Sequence, residues 1–199
     1  MGSSLVTITV TDSKLVQSST TFTISVINPL AITTKSLPVG VNGQPYSVAV
    51  QATGGTAPYS WSATKLPTWA TINSSTGVIS GTPNAVATTS ITVTATDSVG
   101  TKISQNLSLA IVSPVLIATT SITAPTRLKA YKFTMTSSGG SGTKVWSLVS
   151  GALPTGISLS TSGVISGTTS VAKGSFYAFT IRVADGYSKN EKSFSFTTN

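Results

Sequence analysis

The 199-residue sequence predicts an all-β fold, in which two antiparallel β-sandwiches follow one another and a β-hairpin from an incomplete repeat precedes them. Three observations lead to this prediction. The sequence repeats itself at intervals of 85 to 88 residues, apolar residues alternate with Thr or Ser, and Gly and Pro recur at strand-like intervals. No segment shows the periodicity of an amphipathic helix.

The repeat is most visible in one hexapeptide. Gly-Val-Ile-Ser-Gly-Thr occupies residues 77–82 and recurs at residues 163–168, an offset of 86. Equivalent positions outside the hexapeptide recur with similar offsets, as Asp97 and Asp185 do at 88 residues. Within each copy, side chains such as Ile91, Val93 and Ala95 alternate with Thr, which is typical of a strand with one buried face.

These offsets divide the chain into three parts. Residues 29–113 and 114–199 are two full copies, and residues 1–28 are the last third of another copy, with Asp12 as the counterpart of Asp97. A full copy of about 85 residues buries enough surface to fold without a disulfide. Each full copy is therefore predicted to form a sandwich of about seven strands.

The incomplete copy is predicted to form a hairpin from residues 5–11 and 21–27. A lone hairpin is marginally stable, and the apolar face of this one needs a cover. The residues predicted to form that face are Ile8, Val10, Phe22, Ile24 and Val26. Two interpretations stay open: the chain is a fragment cut through a longer array, or the hairpin joins subunits by adding to a sheet edge or face of another copy.

The composition argues against catalysis. The chain has 12 Lys and Arg, 4 Asp and Glu, and no His or Cys. A thiol or imidazole nucleophile, a His general base, a Cys/His zinc site and a disulfide are therefore excluded. Thr and Ser, at 35 and 33 residues, replace charges as the solvating surface. We predict that the chain is not an enzyme.

The two full copies resemble a known family through a shared series of motifs. In the first copy these are residues 54–61 (Gly-Gly-Thr-Ala-Pro-Tyr-Ser-Trp), Leu66-Pro67, residues 76–83 (Thr-Gly-Val-Ile-Ser-Gly-Thr-Pro) and Asp97. In the second they are Gly139-Gly140, Trp146, residues 153–157 (Leu-Pro-Thr-Gly-Ile), residues 162–168 and Asp185. The pattern resembles the Ig-like repeats called He-PIG, close to dystroglycan-type cadherin-like repeats, of bacterial surface and phage virion proteins. This resemblance implies tandem Ig-like sandwiches.

The three tryptophans differ in their predicted roles. Trp61 and Trp146 are 85 residues apart at matching positions, and we expect both to pack in a core. Trp69 has no such counterpart, because the second copy has Gly156 there. Since exposed tryptophans often contact sugars or partner proteins, Trp69 is a candidate contact residue, with burial against its own repeat as the alternative.

Asp97 and Asp185 are the candidate calcium ligands, because the resemblance to cadherin-like repeats implies calcium at the end of this strand. Calcium takes six to eight oxygen ligands, usually with several carboxylates, whereas each copy offers a single Asp here. We therefore expect each Asp to cap a turn by accepting backbone N–H groups. No metal or other cofactor is predicted.

Positive charge is concentrated in the second full copy. The chain has a net charge of +8, and residues 114–199 contribute +6 of it, with eight cations against Asp185 and Glu191. The candidates for a partner or glycan contact in this copy are Arg127, Lys129, Lys132, Lys144, Arg182, Lys189 and Lys192. A basic face would bind anionic glycans. Simple solubility is the alternative, and nucleic acid is not expected because no binding motif is present.

The sequence as a whole favours a structural or adhesive module over a catalyst. Met1 is followed by no secretory signal, which favours a phage virion protein, as a capsid decoration or part of a tail. The alternatives are a fragment of a bacterial cell-surface adhesin and a carbohydrate-binding accessory module. The expected location is a virion surface or a cell surface, among other proteins of the same array. No membrane insertion is expected.

Overall fold

Strands and their connections make up residues 2–199, the part of the chain that the computed structural model describes. That range contains no helix, and hence none that is long and apolar enough to cross a membrane. The all-β prediction is confirmed. The N-terminal hairpin is formed by β1 (Gly2–Thr11) and β2 (Gln17–Val26).

The first full repeat contains nine strands. They are β3 (Ala31–Ile32), β4 (Gly40–Val41), β5 (Tyr46–Ala49), β6 (Ala52–Thr53), β7 (Ser60–Thr64), β8 (Ala70–Ile72), β9 (Val78–Gly81), β10 (Ala87–Thr96) and β11 (Lys102–Val112). Hydrogen bonding arranges them in the orders β3-β6, β5-β9-β8 and β4-β11-β10-β7. The pairing of β4 with β11 is parallel.

The second full repeat contains eight strands in the same succession. They are β12 (Leu116–Ile117), β13 (Ala130–Thr134), β14 (Ser137–Ser138), β15 (Val145–Gly151), β16 (Ile157–Leu159), β17 (Val164–Thr168), β18 (Phe176–Ala184) and β19 (Lys189–Thr197). Their sheet orders are β12-β14, β13-β17-β16 and β15-β18-β19. Each order has its counterpart in the first repeat, as the internal sequence repetition implies.

Alternation of apolar and hydroxyl side chains generates the buried face of the long strands. Along β10, Ile91, Val93 and Ala95 are fully buried, while Thr92 and Thr94 between them are partly exposed. The second repeat follows the same rule and collects its buried side chains in one core. That core consists of Val115, Ile117, Ile122, Met135, Trp146, Ile157, Ile165, Phe179, Ile181, Val183, Phe194 and Phe196.

The first glycine of the repeated hexapeptide lies against the core tryptophan. A Cβ built on Gly77 would come within 2.8 Å of Cε2 of Trp61, and one on Gly163 within 2.7 Å of Nε1 of Trp146. Both glycines also have positive φ, 69° and 86°, which other residues adopt at a cost. Trp61 and Trp146 are buried, as predicted. The hexapeptide therefore begins with Gly for both steric and conformational reasons.

The N-terminal hairpin is longer than the sequence predicts. Its strands pair from Gly2 opposite Val26 to Thr11 opposite Gln17, whereas the apolar alternation marks only residues 5–11 and 21–27. The additional residues of the second strand, Gln17, Ser18, Ser19 and Thr20, are all polar, so no apolar signal reveals them. They pair because the turn between the strands is short and is fixed by Asp12, whose Oδ1 accepts N–H bonds from Lys14 and Val16.

Candidate functional site

Asp97 lies at the end of β10 and is almost completely buried. Its Oδ1 accepts hydrogen bonds from the N–H groups of Thr101, at 2.7 Å, and Val99, at 3.1 Å. Its Oδ2 accepts one from the N–H of Thr56, at 3.1 Å. One carboxylate thus fixes both the β10–β11 turn and a loop 41 residues earlier in the chain.

Asp185 has the same arrangement in the second repeat. Its Oδ1 accepts from the N–H groups of Ser188, at 2.8 Å, and Tyr187, at 3.1 Å, and from the Ser188 hydroxyl. Its Oδ2 accepts from the N–H of Ser141 at 2.8 Å. Ser141 and Thr56 each follow a Gly-Gly pair, so in both repeats the aspartate binds the residue directly after this pair.

Backbone donors set the ionisation of both aspartates. Burial by itself raises the pKa of the Asp97 carboxyl, but the N–H bonds from Thr56, Thr101 and Val99 favour the charged form, and the pKa lies below its usual value. For Asp185 burial again raises the pKa, and bonds from the Ser188 and Ser141 backbone are foremost among those that bring it below its usual value.

The surroundings of these carboxylates are those of a turn cap. Calcium needs several oxygen ligands, but the groups in contact with the Asp97 and Asp185 oxygens are N–H and O–H donors. Within residues 2–199, no group of three or more acidic side chains is placed to hold a metal ion. The geometry is the one expected for aspartates that cap a turn.

The Gly-Gly pair is a partner of the aspartate that sequence reasoning missed. A Cβ on Gly55 would lie 2.8 Å from Oδ2 of Asp97, and one on Gly140 would lie 2.5 Å from Oδ2 of Asp185. Only a glycine lets the backbone approach the carboxylate this closely. The available signal was that the pair and the aspartate recur together in both copies, although more than 40 residues separate them.

Trp69 occupies the turn before β8 and is half-buried. Its carbonyl and ring edge both lie against Gly81, where a Cβ would come within 2.0 Å of the Trp69 oxygen and 3.0 Å of Cε3. In the second repeat, the Gly156 carbonyl approaches Gly167 in the same way. The structure therefore confirms that Trp69 occupies the position in the first repeat that Gly156 has in the second. Part of the Trp69 indole packs against Gly81 of its own repeat.

Arg182 and Lys192 make contacts within the second repeat. Arg182 lies opposite Glu191 in the β18–β19 register and binds its Oε1 through Nη2 at 2.7 Å. The Lys192 ammonium donates to the Thr119 carbonyl at 2.8 Å and lies 5.7 Å from the centre of the Phe194 ring. The positive charge of both residues is therefore partly satisfied by the repeat itself.

Lys132 lies on a different surface from Arg182. Its neighbours Tyr131 and Phe133 pack against the second core, so Lys132 points outward from the sheet β13-β17-β16. Arg182 points outward from β15-β18-β19, because its neighbours Ile181 and Val183 belong to the same core. As the two sheets share one core, these cations lie on opposite outer faces.

The remaining candidate cations lie in connections or at strand ends. Arg127 and Lys129 are in the turn before β13, where the Arg127 Nε donates to the Ser170 carbonyl at 3.1 Å. Lys144 precedes β15, and Lys189 begins β19. The seven cations are therefore distributed over several surfaces, and the structure does not bring them together into one basic face.

The five predicted hairpin residues share one face of β1–β2. The register also places Val6 there, opposite Phe22, a residue that the sequence interpretation omitted. We call these six side chains the apolar hairpin face: Val6, Ile8, Val10, Phe22, Ile24 and Val26. All six are exposed. The opposite face carries hydroxyl pairs, with Thr7 bonded to Thr21 and Thr9 to Ser19.

Parallel backbone pairing joins the beginning of the first full repeat to its last strand. Gly40 lies opposite Ile111 and Val41 opposite Val112. The Asn42 N–H extends this pairing by donating to the Val112 carbonyl at 2.9 Å. A two-residue strand has no recognisable sequence pattern, so the sequence did not reveal this contact.

The second full repeat has the equivalent contact. The Arg127 N–H donates to the Asn199 carbonyl, and the Asn199 N–H donates to the Pro125 carbonyl, both at 3.2 Å. Two bonds from one residue to positions two apart on its neighbour are the pattern of parallel strands. We call these contacts, between residues 40–42 and 111–112 and between residues 125–127 and 199, the parallel terminal pairs.

Comparison with known proteins places this architecture in a family. The family model described as "Putative Ig domain", He-PIG, matches residues 28–112 and 113–199. The chain belongs to this family. Its two full copies are thus two He-PIG domains, and the resemblance seen in the motifs is confirmed.

Relatives of these He-PIG domains occur in adhesins. The "Serine-rich adhesin for platelets" of Staphylococcus aureus is 37% identical over 109 residues, which cover 51% of this chain and 5% of the adhesin. The protein of strain MRSA252 is 36% identical over 109 residues, covering 51% of this chain and 8% of its own length. The chain therefore corresponds to a small part of these relatives. It is an Ig-like module of the type found in bacterial surface adhesins.

A solved structure supports the fold of the He-PIG pair. Extracellular domains 3–5 of Drosophila OTK align with a TM-score of 0.56 over 92% of this chain and 69% of that one. At 13% sequence identity this similarity concerns the fold alone.

Proposed function

We propose that the two full repeats are a load-bearing spacer in a bacterial cell-surface protein of the adhesin type. The observation that carries this proposal is the parallel terminal pair present in each repeat. In both repeats, hydrogen bonds thus join the backbone near the beginning of the repeat to the backbone at its end.

Parallel pairing matters because of how tension acts on a repeat. A force applied through the chain pulls residues 40–42 and residues 111–112 in opposite directions. Since these segments run parallel, the force acts along the strands and strains their hydrogen bonds together. In an antiparallel hairpin pulled at its open end, the bonds would instead break one after another. Bonds worth only about 0.5–1.5 kcal/mol each resist best when they must break together.

The remaining surface suits a spacer better than a catalyst. Outward-facing hydroxyls bond to one another across strands, as Thr94 does with Ser104 and Thr180 with Ser193. The buried carboxylates Asp97 and Asp185 are already satisfied by backbone donors. With neither His nor Cys in the sequence, a non-catalytic role is part of the proposal.

The adhesin relatives favour a cell surface over a virion. The preference for a virion rested on Met1 and on the lack of a signal sequence, whereas the named relatives are bacterial adhesins. Adhesins act outside the cell, so we assign the module to the cell surface. Its neighbours there would be further parts of the same array.

Single-molecule pulling tests the proposal directly. We expect two unfolding events, each releasing about 300 Å of chain, the length of roughly 85 residues at up to 3.6 Å each. Asn42→Pro is the informative variant, because it deletes the N–H that bonds to Val112. Position 42 also suits proline: it is the second residue of a turn that Gln44 closes onto Val41, and Gly43 follows it with φ of 78°.

Gly100→Ala is the matched control. It strains a positive-φ turn of the same repeat, φ 89°, with nothing within 4 Å of the added Cβ, and it lies away from the parallel terminal pair. We expect Asn42→Pro to lower the unfolding force of one event more than Gly100→Ala does, although proline suits its turn and alanine strains the turn at residue 100. Equal forces for the two variants would refute the load-bearing role.

The adhesive and carbohydrate-binding alternatives predict a different result. If the module itself binds, the purified chain should bind platelets or an array of anionic glycans in a saturable manner. Such binding should fall when Trp69 is changed to Ala or Lys132 to Gln, without a change in unfolding force. A spacer should bind neither surface.

A further inference from the structure

The turn between β4 and β5 contains a chemically reactive dipeptide. Asn42 and Gly43 lie in this turn, and Asn-Gly occurs once in the sequence. In such a pair the backbone nitrogen of the glycine can attack the side-chain amide of the asparagine, because glycine has no Cβ to obstruct the approach. Asn42 is therefore the asparagine of this sequence that is most readily converted into an acid.

The fold holds the attacking nitrogen in place. The Gly43 N–H donates to the Pro83 carbonyl at 2.8 Å, and the Asn42 N–H donates to the Val112 carbonyl at 2.9 Å. The Gln44 N–H closes the turn with a bond of 3.0 Å. Attack requires that the Gly43 nitrogen lose its proton and that the backbone rotate to bring this nitrogen to Cγ of Asn42. Both changes break these bonds, so the reaction proceeds only after the turn has opened.

The side-chain amide of Asn42 lies in a place that does not suit an acid. Within residues 2–199, its Oδ1 is a buried side-chain oxygen with no hydrogen-bond partner. A neutral amide oxygen is already costly in such a place, and a carboxylate is costlier because it carries a charge without a donor. The folded first repeat therefore accommodates Asn at position 42 far better than Asp.

The second full repeat has the same turn without the reactive pair. The Leu128 N–H donates to the Thr169 carbonyl at 2.8 Å, in the bond that corresponds to that of Gly43. Leu128 and Gly43 both have positive φ, 58° and 78°. Arg127, however, occupies the position that Asn42 has in the first repeat, and it carries no amide to attack. The two repeats thus share the geometry of this turn but not its chemistry.

We propose that Asn42-Gly43 is a deamidation site, which the fold of the first repeat protects and which opening of that repeat exposes. The Gly43 nitrogen gives its proton to water and bonds to Cγ of Asn42, and the bond from Cγ to Nδ2 breaks as ammonia leaves. Water then opens the resulting succinimide. Cleavage between Cγ and the Gly43 nitrogen gives Asp, and cleavage at the backbone carbonyl gives isoaspartate. One water is consumed and one ammonia released, with no oxidation or reduction.

Either product weakens the first repeat. The carboxylate of Asp takes the place of the unpartnered amide oxygen. Isoaspartate instead lengthens the main chain by one carbon between the two nitrogens that bond to Val112 and Pro83, so both bonds cannot keep their geometry. A first repeat that has reacted while open therefore opens more readily afterwards, whereas the second repeat is unchanged.

The protection by the fold is tested on the full chain with mass spectrometry. The chain is incubated in buffer and in concentrated guanidinium chloride at the same pH and temperature, and its peptides are analysed for the mass increase from replacing NH₂ by OH at Asn42. We expect this conversion to be at least about tenfold faster in the unfolded chain, because local opening limits it in the folded one. Asn106, which Leu follows, is the slow internal reference.

Equal conversion rates of Asn42 in the folded and unfolded chains would overturn the protection by the fold. Conversion in guanidinium chloride that is no faster at Asn42 than at Asn106 would overturn the site itself. Asn42→Arg, which places the residue of the second repeat in the first, should abolish the mass increase at this position.

Hydrogen exchange tests the consequence without the reaction. We expect Asn42→Asp to speed amide exchange across residues 102–112 at least about threefold and to leave residues 189–197 unchanged. Asn42→Arg should retain the wild-type exchange of both segments, because the second repeat carries Arg in the same turn. Unchanged exchange in Asn42→Asp, or equally fast exchange in both variants, would show that a carboxylate at position 42 does not weaken the repeat.

Discussion

Gly77→Ala tests whether the repeated hexapeptide is dictated by the core tryptophan. The added methyl would lie 2.8 Å from Cε2 and 2.9 Å from Cδ2 of Trp61, well inside contact distance. The backbone at this position also has φ of 69°, in the left-handed region. The variant therefore combines backbone strain with a steric clash in the core.

The two contributions can be estimated separately. Placing a residue with a Cβ in the left-handed region costs roughly 1–2 kcal/mol. Overpacking a core against a side chain that has little room to move costs about 1–3 kcal/mol. Because Trp61 is buried, we expect Gly77→Ala to reduce the free energy of unfolding of the first repeat by about 2–5 kcal/mol.

Urea unfolding followed by tryptophan fluorescence provides the assay, with Gly100→Ala as the control. Gly100 has φ of 89° and no atom within 4 Å of a built Cβ, so its substitution measures the backbone contribution alone. Gly77→Ala should exceed this control by the overpacking cost, and Gly163→Ala should act likewise on the second repeat. If Gly77→Ala and Gly100→Ala lose the same free energy, the contact with Trp61 does not explain the motif.

Three further outcomes follow from the structure. Asp185→Asn should lower the melting temperature at pH 7, because folding depresses the pKa of the Asp185 carboxyl. The stability difference between wild type and variant should be fully present above the pKa of an unfolded Asp, about 4. It should disappear as the pH falls through the pKa of the folded state. Leu128→Gly should raise the free energy of unfolding by about 0.5–1 kcal/mol in urea, since this exposed leucine has φ of 58° and the relief of strain exceeds the entropy lost by glycine. Trp69→Ala should cost about 1–3 kcal/mol in the same assay, less than a fully buried tryptophan, and a glycan array probed with both proteins will show whether the exposed part of the ring also binds.

The sequence was sufficient wherever a pattern recurs, either along one strand or from one copy to the next. Alternation of period two placed Ile91, Val93 and Ala95 on a buried face, and the matched positions of Trp61 and Trp146 identified both as core residues. The first inference succeeds because the side-chain direction in a strand is fixed by the parity of the residue number. The second succeeds because equivalent positions of two sequence repeats occupy equivalent places in the fold.

It was insufficient wherever the outcome depends on which elements meet in space. Asp97 accepts a hydrogen bond from Thr56, which lies 41 residues earlier in the chain, and no local sequence pattern predicts that contact. Lys132 and Arg182 both face outward, as parity predicts, but parity does not say which sheet a strand joins. They belong to opposite sheets, so the charge of the second repeat does not form one surface.

The low content of charged residues has a consequence for how the fold responds to its surroundings. Outward hydroxyls bond across strands in all three parts of the chain, as in the Thr7–Thr21, Thr94–Ser104 and Thr180–Ser193 pairs. Such bonds involve no net charge, so salt does not screen them, whereas the exposed ion pair between Arg182 and Glu191 is open to screening. Acid, which protonates the aspartates that cap the turns, should therefore destabilise the repeats far more than salt does. For the proposed spacer, this arrangement makes the folding stability of each repeat depend little on the ionic strength of the medium.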